Sequence, residues 1–197
     1  MIPMPAQLRS QRLNQATHAP HERLDTLVKS YAPFNNRENF SHFVVAQYRF
    51  QLQLQPLYRD PRLIALIPDL SARCRAEQAR QDLIDLGVAP PATEPGELHD
   101  LPVAAALGWI FVSEGSKLGA AFLIKRAEAL GLSETFGARH LGEPEGGRAE
   151  GWKRFIRMLD GLPLSEDENA EAESAAIAAF ERFSELLRQA YAHVALA

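Results

Sequence analysis

The sequence contains little of what secreted proteins and most cofactor-binding proteins rely on. It has one cysteine, Cys74, among 197 residues, so no internal disulfide can form, which is typical of a reducing compartment. There is no Cys-x-x-Cys pair for zinc or an iron–sulfur cluster, and no dinucleotide-binding glycine motif, P-loop or Gly-x-Ser-x-Gly elbow. Nucleotide cofactors and acyl-transfer chemistry therefore have no support in the sequence.

Long hydrophobic runs are also missing. The first residues, MIPMPAQLRSQR, lack the apolar stretch of a signal peptide, and no run approaches the length of a transmembrane helix. The net charge of -4 gives no polyanion-binding signature. With 46% hydrophobic residues, the chain can bury one ordinary core. We therefore expect a single soluble domain, residues 1–197, that lies in the cytoplasm and binds neither nucleic acid nor membranes.

Helical periodicity is present along most of the chain, and no segment shows the alternation of a strand. Asn36 is placed to cap one helix, and Asp60 followed by proline starts another. Ser165 and Glu168 form a capping box, whereas Pro20 either kinks the first helix or restarts it. The predicted helices are residues 8–30, 37–57, a short segment after 60, 69–86, about 102–130, 152–159 and 165–193. The expected fold is all-α, with seven or eight helices around one core.

The helix that contains GWIFVSEGSKLGAAFL (residues 108–123) carries glycines in its interior, where each costs about 1 kcal/mol relative to alanine. Spacings of seven, four and seven place four residues in one stripe: Gly108, Gly115, Gly119 and Arg126. Phe111 and Phe122 flank the stripe. A face without side chains, edged by aromatic rings and ending in a cation, lets something flat and anionic lie against the backbone. Close helix packing explains the same glycines, so a porphyrin, a flavin and a partner helix all fit this stretch alone.

The histidines are the second feature, after the glycine stripe, that bears on a ligand site. His18 and His21 are three residues apart, but the chain has no Glu-x-x-His and so lacks the ligands of a helical di-iron site. One neutral imidazole that faces a glycine-lined helix is the arrangement haem needs when one axial position is filled and the other stays open for a gas. Lys29, two turns beyond His21, and Lys125 or Arg126 could meet the propionates by charge-assisted hydrogen bonds.

Three stretches give the sequence a specific resemblance. THAPHERLDTLVKS (residues 17–30), SEGSKLGAAFL (113–123) and FGARHLGEPEGGR (136–148) resemble bacterial haem oxygenases, and within that family the iron-starvation-induced enzymes of pseudomonads. The resemblance covers nearly the whole chain, from Leu8 to Ala192. It implies an all-α fold that holds haem between a proximal helix and the glycine-rich distal helix.

The resemblance also implies roles for individual residues. His21 corresponds to the proximal iron ligand, and His18 to a position that does not bind iron. Gly115 and Gly119 correspond to the distal glycines, and Arg75 to a member of the distal water network. The remaining pocket residues would be Asn14, Phe111, Lys29, Lys125 and Arg126. At position 126 the close relatives carry lysine, so the charge is kept while the donor geometry changes.

The activity implied by the resemblance is the opening of haem b to biliverdin, with release of ferrous iron and carbon monoxide. Haem is then both cofactor and substrate, and dioxygen is the second substrate. Electrons would come from a ferredoxin or flavodoxin fed by an NADPH-dependent reductase. The chain is expected to act as a monomer and to yield mainly the β and δ isomers.

Other functions stay open from the sequence. A haem carrier or sensor would bind haem without oxidising it, although the unobstructed glycines leave room for oxygen. A purely structural helical domain would use the glycines for packing. An oxygenase could serve either iron acquisition or the supply of bilin to a photoreceptor.

Overall fold

The computed structural model describes residues 7–92 and 98–192, and all seven α-helices found there are numbered in chain order. They are α1 Arg9–Tyr31, α2 Arg37–Tyr58, α3 Pro61–Leu66, α4 Ala76–Asp85, α5 Val103–Glu128, α6 Arg148–Gly161 and α7 Glu166–Tyr191. Two 3-10 turns, Leu70–Arg73 and Arg139–Leu141, complete the regular structure of these ranges, which contain no strand. The all-α prediction is confirmed.

Local capping signals begin several of the helices. The Asn36 side chain accepts a hydrogen bond from the Asn39 backbone N–H at 2.8 Å, as predicted for the start of α2. Ser165 and Glu168 form the reciprocal capping box of α7. The hydrogen bond that the Ser165 backbone N–H donates to Glu168 holds the pKa of this carboxyl below its ordinary value. These helix starts are stabilised by residues close in sequence, so the sequence alone predicts them.

Three boundaries differ from the sequence-based expectation. α1 continues through Pro20 without a restart. The helix predicted for residues 69–86 is wrong as one element, because a 3-10 turn is followed by a break at Cys74 and Arg75 before α4. The backbone N–H of Arg75 donates at 3.0 Å to the side chain of Gln51 in α2, so a distant residue stabilises this break. α6 begins at Arg148, one turn earlier than predicted. The predicted end of α7 near residue 193 lies outside the described residues.

α7 is the helix on which the other long helices assemble. α1, α2 and α5 all pack against it, whereas α1 and α5 hardly touch each other anywhere in the described ranges. α5 is long and apolar enough to cross a membrane, but half of the qualifying stretch is buried inside the fold. The expectation that no run approaches transmembrane length is therefore wrong for α5 by length and composition, and the buried half of the stretch belongs to the core. His21 on α1 and the two glycines Gly115 and Gly119 on α5 thus lie on helices that both pack against α7 but, in the described ranges, form no direct interface with each other.

Candidate functional site

The glycines of α5 divide into two groups. A Cβ atom on Gly108 would collide with the backbone oxygen of Ala172 and come within 2.9 Å of the Ala175 Cβ, so Gly108 serves the packing of α5 on α7. A Cβ atom on Gly119 would meet no atom within 4 Å. The expectation that one stripe serves a ligand is therefore wrong at Gly108, where helix packing is the correct interpretation. At Gly119 the surface of α5 is not covered by any neighbouring residue.

Gly115 lies between these two situations. A Cβ atom there would be 3.5 Å from the indole of Trp152 on α6, an ordinary van der Waals distance. The Trp152 ring packs 5.5 Å from the ring of Phe111, which is buried. Trp152 and Phe111 thus form an aromatic wall on one side of the glycines. The sequence indicated Phe111 but not Trp152, whose partner on α5 is a residue without a side chain.

Phe122 is the second aromatic residue predicted to flank the stripe. Its side chain is 74% exposed, the largest exposure among the bulky apolar residues of the described ranges. It lies three residues beyond Gly119, so both are on one side of α5. We name this side, which carries Gly115, Gly119, Phe122 and Arg126, the glycine face. Its outer half is left uncovered by the rest of the described chain.

The two histidines of α1 have different surroundings. His21 lies with its ring centroid 5.7 Å from that of Phe180 on α7, in an edge-to-face arrangement. The His18 imidazole is 74% exposed and 3.5 Å from the carboxylate of Glu22, so it points to solvent. Asn14 is exposed on α1 two turns before His21, and residues seven apart share a helix face. The structure therefore brings His21, not His18, against α7.

The predicted cations lie near one end of the fold. Lys29 is exposed in the last turn of α1, and Lys125 is exposed in the last turn of α5. The guanidinium of Arg126 lies over the ring of Phe34, 4.4 Å from its centroid. Because Phe34 follows α1 by only three residues, this contact joins the end of α5 to the end of α1 that carries Lys29.

A buried polar cluster lies on another side of α5. Glu114, which is 4% exposed, accepts hydrogen bonds from the Tyr58 hydroxyl at 2.9 Å, Arg73 at 2.9 Å and Lys117 at 2.6 Å. Burial raises the pKa of Tyr58 well above its ordinary value, and the charge of Glu114 adds to this shift. Burial lowers the pKa of Lys117 despite its carboxylate partner. The sequence analysis missed this cluster; the one signal for it is a Glu–Lys pair inside an otherwise apolar helix.

Arg75 lies beside this cluster. Its guanidinium donates to the carbonyl of Gly142 at 3.2 Å, and Arg148 donates to the same oxygen at 3.2 Å. Burial lowers the pKa of Arg75, and the nearby charge of Arg148 lowers it further. A cavity of about 430 Å³ is lined by Arg75, Glu114 and Trp152 among others. Because Trp152 also lies beside Gly115, this polar cavity is next to the glycine face.

The loop after α5 is held in place by two aspartates of α4. The Asp82 carboxylate accepts a hydrogen bond from the backbone N–H of His140 at 2.9 Å and lies 2.8 Å from its Nδ1. Arg139 pairs with Asp85. His140 is buried, so this histidine supports the loop that carries Gly142, the carbonyl shared by the two arginines.

The haem oxygenase family model matches residues 7–189. The chain belongs to the haem oxygenase family. It is 56% identical over 186 residues to the haem oxygenase PigA of Pseudomonas aeruginosa, with 94% of each chain covered.

Solved haem oxygenases have the same fold. The structure matches the NO- and CO-bound haem oxygenase of Neisseria meningitidis with a TM-score of 0.89 and 36% identity, over 95% of this chain and 94% of that one. Haem oxygenase from Leptospira interrogans matches with a TM-score of 0.74 at 17% identity, over 93% and 100% of the two chains, which supports the fold alone. This chain is therefore a haem-degrading enzyme that uses haem, dioxygen and an external reductase. A purely structural role for the helices is wrong.

Proposed function

We propose that this haem oxygenase binds haem b between α1 and α5, with His21 as the proximal iron ligand and the backbone at Gly115 and Gly119 against the opposite side of the macrocycle. The observation that carries the proposal is the open space at Gly119, where a side chain would meet nothing within 4 Å. A helix interior normally favours alanine over glycine, so an uncovered glycine there indicates that a ligand needs the space.

The surroundings of the two histidines support the choice of ligand. His21 is oriented by the edge-to-face contact with Phe180, whereas His18 is directed at solvent and Glu22. His21 would hold the haem iron from the side of α1, and the side of the macrocycle that faces α5 would stay accessible to a gas. Asn14, on the same face of α1, would contact the macrocycle from the proximal side, and Phe111 would contact it from the wall beside the glycines.

The propionates would be held by cations. Lys29 and Lys125 are exposed, and Arg126 is joined to the end of α1 through Phe34. Charge-assisted hydrogen bonds to carboxylates are roughly twice as strong as neutral ones, so these contacts would fix how the flat molecule is rotated. The rotation decides which meso carbon lies beneath the distal helix. We expect mainly β- and δ-biliverdin.

When bound, haem supplies the iron at which dioxygen is reduced and is also the molecule that is opened. The chain itself contributes orientation and protons. Arg75 lines the polar cavity next to Gly115, where it would hold ordered water on the distal side. Such water would carry protons inward, and Trp152 and Phe111 would shield one side of the macrocycle from bulk solvent.

The electron donor and the cellular role complete the proposal. The chain has no flavin-binding or iron–sulfur motif, so electrons come from outside, and we propose a ferredoxin or flavodoxin as the donor to a monomeric cytoplasmic enzyme. The resemblance to the iron-starvation-induced enzymes of pseudomonads favours iron acquisition over bilin supply.

Haem titration of two histidine variants tests the ligand. In His21→Ala we expect loss of the ligated haem spectrum and of most turnover, because no other histidine within residues 7–92 and 98–192 is placed to replace it. In the matched control His18→Ala the Soret band stays nearly unchanged. Full turnover of His21→Ala without added imidazole, or equal losses in both variants, would overturn the assignment. Chromatography of the extracted bilin tests the isomers, and an almost wholly α product would contradict the proposed anchoring.

A further inference from the structure

Arg126 has an unusual partner for an exposed arginine of this chain. Several arginines pair with carboxylates in the described ranges, among them Arg12 with Glu173 at 2.7 Å and Arg80 with Glu77 at 2.7 Å. No carboxylate pairs with Arg126 there; its guanidinium instead lies 4.4 Å from the centre of the Phe34 ring. An aromatic ring attracts the flat side of a guanidinium and leaves the N–H donors on its edge unused.

The Phe34 ring is itself fixed. It packs against two core aromatics, with centroids 5.5 Å from Phe40 and 6.2 Å from Phe43, both of which are buried. Phe34 is therefore continuous with the hydrophobic core on one side and in contact with a cation on the other. A side chain held in this way has few alternative rotamers.

The backbone at this end of the fold is fixed as well. Arg37, at the start of α2, donates to the carbonyl of Leu130 at 2.8 Å and to that of Gly131 at 3.1 Å, just beyond the end of α5. Gly131 has a φ of +73°, which only glycine adopts easily, and a Cβ there would be 2.8 Å from the Arg37 side chain. The end of α5 and the segment that carries Phe34 thus cannot move independently.

We infer that Phe34 is a positioning residue that acts through Arg126. The ring sets the plane of the guanidinium, and the guanidinium, with its edge donors free, sets the rotation of the bound haem through one propionate. The inference rests on the propionate-binding role proposed for Arg126. It also gives a physical reason for arginine at this position, because a lysine ammonium has no flat side to stack on a ring and rotates more freely.

The product isomers report this rotation directly. We expect Phe34→Leu, which keeps apolar volume but removes the ring, to change the β to δ ratio several-fold in the direction produced by Arg126→Ala. Phe34→Tyr keeps the ring and should retain the ratio of the original enzyme. In the Arg126→Ala background, Phe34→Leu should cause no further change, because the group it positions is already absent.

Phe43→Leu is the matched control, since Phe43 packs against the same ring but has no contact with Arg126. Loss of packing alone would shift the ratio equally in Phe34→Leu and Phe43→Leu, and this result would overturn the inference. Haem methyl resonances in proton NMR spectra of the same variants give the haem orientation independently of turnover.

The variants distinguish the role of Phe34 from the propionate contact proposed for Arg126, on which it rests. If Arg126→Ala changes the isomer ratio and Phe34→Leu does not, Arg126 anchors haem without help from Phe34 and the inference is wrong. If Arg126→Ala itself leaves the ratio unchanged, the proposed propionate contact fails and the role of Phe34 fails with it. The oxygenase activity stands in both cases.

Discussion

The indole of Trp152 lies 3.5 Å from the position that a Cβ atom on Gly115 would occupy, whereas the same position at Gly119, one turn further along α5, meets nothing within 4 Å. The two glycines therefore have different surroundings although they share a helix face. At Gly115 the protein supplies a wall, and at Gly119 it leaves an opening.

Gly119→Leu should separate ligand binding from folding. The leucine enters open space, so the free energy of unfolding of the haem-free protein should hold or rise by up to about 1 kcal/mol from better helix propensity. Turnover should fall because the side chain fills the space proposed for substrate and oxygen. Thermal unfolding of the haem-free protein and a biliverdin assay measure the two effects. A collapse of apo stability with unaltered haem binding would contradict the open-face interpretation.

Gly108→Ala should have the opposite effect on stability. Its methyl group meets the backbone oxygen of Ala172, which cannot turn away as a flexible side chain can. Overpacking of this kind typically costs about 1–3 kcal/mol, more than the gain in helix propensity. Urea unfolding of Gly108→Ala and Gly119→Ala side by side gives a direct comparison, and equal stabilities would show that α5 does not approach α7 as closely as described.

Phe122→Ala should weaken haem binding without affecting the fold. The side chain is 74% exposed, so its removal takes away little buried surface in the haem-free protein. In the complex it would cover the macrocycle between Gly119 and Arg126, and losing it should raise the Kd for haem several-fold. Haem titration by the Soret band measures this. Phe136→Ala is the control, since Phe136 is also exposed, at 42%, but lies outside α5. Equal affinities of both variants and the parent would exclude a haem contact.

Glu114→Gln should destabilise the fold strongly. The amide keeps the shape but leaves Lys117 without a counter-charge and Arg73 with Asp69 alone, and breaking a buried pair in this way typically costs about 3–5 kcal/mol. The urea midpoint measures the loss. Glu150→Gln removes a carboxylate from the exposed pair with Lys153 and should leave the midpoint unchanged. A similarly small effect at Glu114 would mean that solvent reaches the cluster.

Stability should fall above about pH 10. Burial raises the pKa of both Tyr58 and Tyr191. Below the ordinary tyrosine pKa of about 10 both states are protonated, whereas above it the unfolded chain loses protons that the folded chain keeps. The free energy of unfolding therefore decreases as pH rises. Circular dichroism and tyrosinate absorbance, followed together, measure this. In Tyr58→Phe the decrease in the free energy of unfolding above pH 10 should be smaller. Complete ionisation of all four tyrosines while the protein stays fully helical would contradict the raised pKa of the buried tyrosines.

The sequence predicts most helices because their signals are local. Asn36 caps the helix that follows it, and the capping box at Ser165 lies within four residues. Helical spacing alone places Gly115, Gly119 and Arg126 in one stripe, and it places Gly108 there as well. The choice of His21 as the iron ligand rests on the family resemblance.

Long-range contacts account for what the sequence did not reveal. Gly108 and Gly119 are equivalent on a helical wheel, and only the position of α7 distinguishes them. The break before α4 depends on Gln51, and the buried cluster joins Glu114 to Tyr58 and Arg73, each far away in the chain. Spacing within one helix carries no information about which distant residue will approach it.

α7 carries none of the residues proposed to meet iron or propionates, yet both α1 and α5 rest on it. The separation between them depends on the small side chains that α7 presents, such as Ala172 and Ala175 beneath Gly108, and on Phe180 beside His21. A larger residue at one of these positions would shift one helix relative to the other without altering a single group at the substrate. Selection for a different tetrapyrrole, thicker or more puckered than haem, could therefore act first on α7.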